Sequence, residues 1–437
     1  MKTILLTLIT CILFSLPAIA QNDDVQNIDI RLRPNRSFTE TALAVEDFTA
    51  FEGTKLLKAD SIIMIRMAEV IRNDLAFSPF YKIVEFDSLY MRHMELEIMT
   101  LLGWNQLGAE YVIKGEGEFR RNEITFRYKL YSAVTGRIFA RGKFRSPVNN
   151  YRRLAHTVAN DIIYYLTGEK GIFDTRVCFI SKRTGNKELF LCDYDGANIY
   201  QLTNNKSINL SPCFDPEGRK VLFTSYMHDD PQLYQYDLVS GDIDQLAAYP
   251  GINSAARVSP DGKYIVAALS RDGNAELYLL YRDGKIKRRL TYTNSIESSP
   301  CWSPTGKEIA FTSDRTGSPQ LYIMDIDGVN VRRLSYQGSY NDSPDWAPKG
   351  DEIVYLSRVN GRFNICTIDI TGINHKVLTN RGNNENPHWS PDGNHIIFSS
   401  TRTGTKEIYI MDRFGFKEKR LSTGGGNSNP AWTGYIR

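Results

Sequence analysis

Long hydrophobic runs are missing from this sequence after its first twenty residues, and histidine is scarce. No later segment approaches eighteen consecutive apolar residues, so no transmembrane helix is expected there. The six histidines show no H-E-x-x-H or other paired-ligand spacing. No P-loop, no G-x-G-x-x-G opening a helix and no G-x-S-x-G motif occurs, which excludes the common nucleotide-binding and serine-hydrolase sites. The net charge of +3 is spread along the chain and gives no reason to expect nucleic-acid binding.

The first twenty residues have the pattern of a cleaved secretory signal peptide. Lys2 supplies the positive charge, residues 4–16 form the apolar segment, and Ala18 and Ala20 define a cleavage site before Gln21. We therefore predict a signal peptide at residues 1–20, a secreted chain and no direct insertion into a membrane.

Cysteine is also rare. Five cysteines follow the predicted signal peptide, an odd number that cannot all pair. Four of them stand at repeat positions where other copies carry apolar or aromatic residues, so the prediction is buried, unpaired side chains. Cys178 and Cys192 flank a predicted hairpin, and for this pair a disulfide stays open.

What the sequence has in abundance is an internal repeat, which begins near residue 172. Its fullest copy reads Pro-x-Trp-Ser-Pro-x-Gly, a β-run, a Gly turn, Leu-Tyr-x-x-Asp and a second Gly turn. Each unit contains four short apolar runs separated by turn residues, which is typical of a propeller blade. The leucines that end the units step by 44 four times and then by 43: Leu202, Leu246, Leu290, Leu334, Leu378 and Leu421.

The two ends of the repeat predict how the ring closes. The first unit lacks its Pro-x-Trp strand, and a spare Pro430-Ala431-Trp432 follows the last unit. Residues 430–435 are therefore predicted to supply the innermost strand of the first blade. The expected fold is mainly β, with a C-terminal six-bladed β-propeller at residues 169–437 closed by its C-terminal strand. A closed ring leaves no obvious free edge, so a monomer is expected.

Residues 37–168 lack the repeat and mix helix with strand, which predicts a smaller α+β domain before the propeller. One helix should begin near Asp60 or Ser61 and end near Pro79, and a second should run from about Asn150 to Gly168. The second helix is expected to bury a face made of Leu154, Val158, Ile162 and Tyr165. Between the helices, residues 111–119, 124–131 and 138–144 read as an antiparallel meander.

Residues 21–36 are polar, with weakly alternating apolar side chains, and two interpretations stay open. They form either a frayed terminus or an extended N-terminal arm that adds a strand to another protein. The candidate partner-binding residues of the arm are Val25, Ile28, Ile30 and Leu32.

One face of the predicted propeller carries the candidate binding site. Arg183, Arg315 and Arg402 occupy matching turn positions on the same face as the connections between blades, which are rich in Asn, Ser, Gly and Tyr. Loops held on a rigid scaffold commonly carry function. The alternative is that the arginines only pair with blade carboxylates. The candidate partner-binding residues on this face are Arg183, Asn205, Ile252, Asn253, Ser295, Glu297, Ser298, Arg315, Tyr340, Asn341, Asn384 and Arg402.

No catalytic constellation, metal site or cofactor is expected. Aspartates recur at one blade position, such as Asp325 and Asp369, which indicates a turn-capping role. His388 and His395 are interpreted as one inner-strand and one surface residue, not as a metal pair.

Several stretches resemble the TolB family, the periplasmic propeller proteins of the Tol–Pal system. Residues 104–115 (WNQLGAEYVIKG) and 166–176 (LTGEKGIFDTR) are the most specific, and residues 311–317 (FTSDRTG) match its propeller motif. The resemblance implies a non-catalytic protein located in the periplasm. It further implies binding of the peptidoglycan-associated lipoprotein Pal at the propeller and of TolA at the arm, in support of outer-membrane integrity and envelope constriction during cell division. Ile252 stands where relatives carry a functional histidine.

Two other functions stay open from the residues. A propeller-gated hydrolase would need either an appended α/β-hydrolase domain or a cluster of histidines and carboxylates in the channel. A periplasmic glycan- or peptide-binding propeller would bind its ligand at the channel mouth and would need no protein partner.

Overall fold

The computed structural model describes residues 40–85 and 100–435. This part of the chain is mainly β and contains a six-bladed β-propeller preceded by a smaller α/β domain, which confirms the predicted fold class. The predicted signal peptide and N-terminal arm lie outside the described residues. Within the described ranges, no helix is long and apolar enough to cross a membrane. The helices are α1 (Lys58–Phe77), α2 (Leu101–Gln106) and α3 (Tyr151–Thr167), with a 3-10 turn at Val148–Asn150.

The N-terminal domain is built on a mixed sheet. Its strands are β1 (Thr41–Val45), β2 (Thr49–Ala50), β3 (Tyr81–Ile83), β4 (Tyr111–Arg120), β5 (Glu123–Ser132) and β6 (Ile138–Pro147). The strand order is β3-β1-β4-β5-β6, with β2 paired to β4. Strands β4 to β6 form the predicted antiparallel meander. Strand β1 runs parallel to both β3 and β4, which the sequence analysis missed because these strands are short and have no repeat.

Helices α1 and α3 pack side by side on one face of this sheet. Helix α1 ends at Phe77, before Ser78-Pro79 as predicted, and α3 ends where Gly168 takes a left-handed conformation with φ of 74°. The predicted buried face of α3 is wrong at Tyr165, which is exposed. Leu166 is buried in its place, because it lies four residues after Ile162 on the same helix face.

The propeller consists of six four-stranded antiparallel sheets. Blade 1 combines β7 (Arg176–Ser181), β8 (Glu188–Asp193) and β9 (Tyr200–Gln201) with the last strand, β30 (Ser428–Trp432). Blade 2 contains β10 (Asn209–Phe214), β11 (Lys220–His228), β12 (Asp230–Asp237) and β13 (Ile243–Ala247). Blade 3 contains β14 (Asn253–Val258), β15 (Tyr264–Leu269), β16 (Glu276–Tyr281) and β17 (Ile286–Arg289). Blade 4 contains β18 (Glu297–Trp302), β19 (Glu308–Ser313), β20 (Gln320–Asp325) and β21 (Arg332–Arg333). Blade 5 contains β22 (Asn341–Trp346), β23 (Glu352–Val359), β24 (Arg362–Asp369) and β25 (Lys376–Val377). Blade 6 contains β26 (Asn384–Trp389), β27 (His395–Ser400), β28 (Glu407–Asp412) and β29 (Glu418–Arg420).

The ends of the chain's repeat meet in blade 1. Strand β30 is antiparallel to β7, with Trp432 opposite Val177, and the indole N–H of Trp432 donates to Thr175 Oγ1 at 2.8 Å. The boundary between the domains, predicted at residue 168, stays a prediction, because it falls in the short connection between α3 and β7.

The five cysteines of the described chain are buried and unpaired. Cys178 lies opposite Leu191 and Cys192 lies opposite Val177 in the β7–β8 register. Successive side chains of a strand point to opposite faces of a sheet. The two thiols therefore belong to different apolar clusters on the two sides of blade 1, and they do not form a disulfide.

Helices α1 and α3 lie between the N-terminal sheet and the propeller. Phe77 of α1 stacks on the ring of His395, with 4.6 Å between centroids, and the Lys417 ammonium donates to the carbonyl oxygens of Ser78 (2.9 Å) and Tyr81 (2.7 Å). The interpretation of His395 as a surface residue is wrong, because this contact buries it. His395 begins the second strand of blade 6, directly after the turn from the first strand. Lys417 lies in the turn between the third and fourth strands of the same blade. The N-terminal domain therefore occupies the propeller face opposite the connections between blades.

Candidate protein-binding face of the propeller

The loop face is the propeller face formed by the connections between blades and by the turns between the second and third strand of each blade. The connections are residues 202–208, 248–252, 290–296, 334–340, 378–383 and 421–427. All contacts described above between α1 and the propeller lie on the other side of the ring. The loop face is thus free of the described part of the N-terminal domain.

The inner strand of a blade is its first strand, which lies nearest the centre of the ring. In several blades the first residue of the inner strand forms hydrogen bonds that hold the preceding connection in place. The Asn253 amide donates to the carbonyl oxygens of Tyr249 (2.7 Å) and Gly251 (3.1 Å), and its Oδ1 accepts from the Tyr249 N–H. The Asn341 amide donates to the Gln337 carbonyl at 2.7 Å, and the Asn384 amide to the Arg381 carbonyl at 3.1 Å. These predicted contact residues are buried, so they shape the loops and do not themselves offer a contact surface.

Glu297 fills the same position in blade 4 and is also fully buried. Its carboxylate accepts hydrogen bonds from Thr293 (2.8 Å) and Ser313 (2.9 Å), and the Arg315 guanidinium lies 3.1 Å away. Burial raises the pKa of Glu297, against the lowering effect of Thr293 and of the Arg315 charge. The sequence analysis had placed Glu297 and Arg315 on the contact surface, whereas the structure pairs them with each other.

The other two arginines are also engaged within the ring. Arg402 forms an ion pair with Glu418 and donates to Asn384 Oδ1 at 3.0 Å. Arg183 donates to the Thr423 carbonyl at 3.4 Å, and its guanidinium lies 4.9 Å from the Phe190 ring centre. The alternative interpretation of the arginines, pairing with carboxylates, therefore describes Arg315 and Arg402.

The remaining predicted residues reach the surface to different extents. Ile252 is exposed, while Asn205, Ser295, Ser298 and Tyr340 are partly buried. The Tyr340 ring packs edge-on against Phe363, and the Asn205 amide donates to Asn209 Oδ1 at 2.9 Å.

The sequence analysis missed most of the apolar side chains that project from the loop face. Tyr292 and Tyr336 are 73% and 70% exposed, and Ile296 is 55% exposed. Ile208, Ile252, Ile296 and Tyr340 each stand directly before the first residue of an inner strand, at intervals of 44. The period of the repeat was a signal that could have identified them. Together with Tyr292 and Tyr336 they form what we call the apolar arc, spread over four consecutive connections.

A narrow channel runs through the centre of the ring. Each inner strand has a β-bulge at a residue of positive φ, such as Ser299 (48°) and Ser343 (53°). These residues, with Arg257, His388 and neighbouring prolines, line a cavity of about 80 Å³. Pockets for small organic ligands are typically about 300–1,000 Å³, so this cavity suits only water or ions.

Among the described residues, the channel contains charged groups, and no serine or cysteine is hydrogen-bonded to His388, whose Nε2 atom has no hydrogen-bond partner. His388 lies 3.2 Å from the Asp345 carboxylate; burial lowers the pKa of His388 and raises that of Asp345. Cys213 and Cys301 occupy the matching inner-strand position. Burial raises the pKa of both thiols, which keeps them protonated and weakly nucleophilic.

Outside the channel, His156, Asp193 and Asp195 are close enough to share a cation, with one ligand atom each within 4.8 Å of the others. Arg152 forms an ion pair with Asp195, and the Asn198 amide donates to Asp193 at 2.6 Å. Because these donors already hold both carboxylates, we assign no metal to this cluster.

The geometry defines a class of protein: a six-bladed β-propeller with an α/β domain on one face and an apolar, loop-built surface on the other. Two family models match the chain: the TolB amino-terminal domain at residues 33–139 and the TolB beta propeller domain at residues 164–436. The chain belongs to the TolB family.

Relatives and a solved structure agree with this assignment. The chain is 38% identical over 165 residues to the Tol-Pal system protein TolB of Geobacter sulfurreducens, covering 37% of this chain and 38% of that protein. It is 33% identical over 235 residues to the protein of that name from Roseobacter denitrificans, covering 52% and 51%. The matched segments thus span about half or less of these relatives. The crystal structure of TolB from Acinetobacter baumannii shares the fold, with a TM-score of 0.78 and 24% identity over 91% of this chain and 97% of that one. Both relatives carry the name of a Tol-Pal component and not of an enzyme.

Proposed function

We propose that this chain is a non-catalytic, periplasmic protein-binding scaffold of the Tol–Pal system. In this proposal the propeller binds a Pal-like, peptidoglycan-associated lipoprotein, and the N-terminal arm binds a TolA-like inner-membrane protein. The scaffold supports outer-membrane integrity and envelope constriction during cell division.

The apolar arc is the observation that supports the first part of this proposal, the binding of a Pal-like lipoprotein by the propeller. Protein interfaces are enriched in exposed aromatic side chains that become buried on binding. Tyr292, Ile296 and Tyr336 are exposed on loops whose backbone is fixed by buried residues such as Asn341. A surface that is already ordered loses little conformational entropy on binding.

The arm half of the proposal depends on the alternating residues Val25, Ile28, Ile30 and Leu32, which lie outside the described residues. An extended segment of this kind suits strand addition to the sheet edge of a partner. Removal of residues 21–36 should abolish binding of the TolA-like protein and leave binding of the Pal-like protein unchanged.

The propeller half is tested by calorimetric titration of the purified chain with the soluble domain of the Pal-like lipoprotein from the same organism. We expect saturable binding that a Tyr292→Ser, Ile296→Ser double variant weakens at least roughly tenfold, since the loss of even one interface anchor costs about 2 kcal/mol or more. The matched control is Val239→Ser with Ile373→Ser, two exposed apolar residues on the opposite face.

Equal weakening by both double variants would contradict binding at the loop face. Absence of binding by the wild-type chain would remove the propeller half of the proposal. A glycan ligand would instead require thermal stabilisation by soluble muropeptides without any protein partner. The cavity of about 80 Å³ in the channel gives no support to that alternative.

A further inference from the structure

The N-terminal sheet has one face that its helices leave open. Along β5, the side chains of Ile124, Phe126 and Tyr128 are buried on the helix side, where the Tyr128 hydroxyl donates to Asp161 of α3. The alternate residues Arg127 and Lys129 project to the other side. Because the helices lie between the sheet and the propeller, this open face points away from the propeller.

Cations dominate the part of the open face formed by β5 and the edge strand β6. Lys129, Arg141, Lys143 and Arg145 are exposed, and no described residue forms a hydrogen bond or ion pair with their side chains. We call these four residues the basic sheet face. Lys114 and Arg127 of the same sheet differ, since Lys114 pairs with Glu46 at 2.9 Å and Arg127 with Glu116 at 3.1 Å.

The register places like charges directly opposite each other. Lys129 lies opposite Arg141, and neither has an acidic partner among the described residues. Lys143 lies opposite Arg127, whose charge is offset by an ion pair with Glu116 at 3.1 Å. Like charges in directly opposite positions destabilise a sheet. Cations on an edge strand protect against edge-to-edge pairing, but that role does not require a cation on the inner strand β5. The arrangement therefore indicates a surface for an anionic partner.

Apolar side chains project beside these cations. Val134, at the tip of the β5–β6 hairpin, is 71% exposed, and Ile138, the first residue of β6, is 47% exposed. Arg137 lies between them and is also exposed. An open, flat array of cations next to an apolar tip is the combination by which peripheral proteins bind a lipid surface.

We propose that the basic sheet face docks the chain on an anionic phospholipid surface. The proposed occupant is a lipid headgroup layer, because the face combines cations, which anionic headgroups attract, with the exposed apolar side chains of Val134 and Ile138. The docking is peripheral, with Val134 and Ile138 reaching the headgroup layer, and it is consistent with the expectation of no membrane insertion. It does not depend on the proposed binding of Pal-like or TolA-like proteins.

The test is flotation of the purified full chain with phosphatidylcholine vesicles that contain or lack phosphatidylglycerol. We expect binding only to the anionic vesicles, and loss of binding at high salt, because screening weakens interactions between exposed charges. A Lys129→Gln, Arg141→Gln, Lys143→Gln, Arg145→Gln variant should bind roughly several hundredfold more weakly, at roughly fivefold per side chain.

The matched control replaces four exposed, unpaired cations of the propeller with Gln: Lys182, Lys307, Arg332 and Lys419. This control should bind like the wild type, and circular dichroism should show that both variants are folded. The proposal is overturned if the wild-type chain shows no preference for anionic vesicles, or if the two quadruple variants lose binding equally. Binding to polyglutamate but not to vesicles would also overturn it and would assign the face to an acidic protein.

Discussion

The imidazole Nδ1 of His156 on α3 lies 2.7 Å from the carboxylate of Asp74 on α1, and both side chains are buried. Tyr194 directly follows β8, the third strand of blade 1, and donates its hydroxyl to the same carboxylate. Asp195 lies 4.0 Å from His156 Nε2 and pairs with Arg152. This cluster joins the two helices of the N-terminal domain to the propeller.

The cluster predicts a pH-dependent stability. Burial lowers the pKa of His156, but the hydrogen bond and charge of Asp74, together with Asp195, outweigh it and raise the pKa above its ordinary value of 6.5. The stabilisation by protonated His156 is therefore fully present just below pH 6.5, where Asp74 is ionised, and is lost as the pH rises through the raised value. Burial also raises the pKa of Asp74, so the ion pair is lost again at lower pH, where that carboxyl becomes protonated. We expect His156→Gln to lower the free energy of unfolding by about 1–3 kcal/mol just below pH 6.5 and by less at alkaline pH.

Urea unfolding across this pH range measures the effect. The control is His228→Gln, which replaces an exposed histidine on blade 2. A loss of stability for His156→Gln that is the same at all pH values would contradict the role of the charged imidazole.

The hydrogen bonds between buried residues and the connections lead to a second prediction about stability. Asn341→Ala removes hydrogen bonds to the Gln337 carbonyl and to Gln320 Oε1 (2.9 Å), and Gln320 is itself buried. An unsatisfied buried group costs about 1–3 kcal/mol, which is the expected loss in the free energy of unfolding. The exposed Asn294 on the neighbouring connection serves as the control, because Asn294→Ala should change stability by less than about 0.5 kcal/mol. Equal effects of the two variants would show that the buried amide does not fix the loop.

Closure of the ring predicts the effect of a short C-terminal truncation. Removing residues 428–437 deletes β30 and leaves the edge of β7 unpaired. We expect the propeller to lose its single cooperative unfolding transition, as followed by differential scanning calorimetry. Removing only residues 436 and 437 should leave the transition intact, since β30 ends at Trp432. An unchanged transition after the longer truncation would contradict closure by β30.

The position of the thiols predicts their chemistry. Because Cys178 and Cys192 lie on opposite sides of blade 1, both should titrate as free thiols after denaturation without a reducing agent. In the native chain all five described cysteines should react slowly with thiol reagents, since they are buried. A mass two hydrogens lower than expected for the unreduced chain would indicate a disulfide and contradict this register.

The repeat made most of the propeller predictable. Leucines such as Leu246 and Leu290 fix the period, and the spare Trp432 predicts the closing strand that β30 provides. The N-terminal domain was less predictable, because β1 pairs with β4 across more than sixty residues of chain. A parallel pair of this kind has no local turn that would reveal it in the sequence.

The candidate site was also only partly predictable from the sequence. Sequence placed Asn253 and Glu297 in the connections between blades, whereas each is the first residue of a strand that follows a connection. Sequence could not distinguish a polar residue that faces a partner from one that holds the loop. That distinction depends on which atoms of other strands surround the side chain. Tyr292 and Ile296 were overlooked because an apolar residue in a blade is usually assigned to the core.

The sequence by itself determined the number of blades, the four strands of each blade and the closing segment, because the repeat period and turn chemistry are local properties. Only the tertiary structure decided which residues of the loop face are exposed, that the helices cover the opposite face, and that the cations of β5 and β6 lie side by side. These features arise from contacts between segments far apart in the chain, and the burial of a side chain is determined by all its neighbours together.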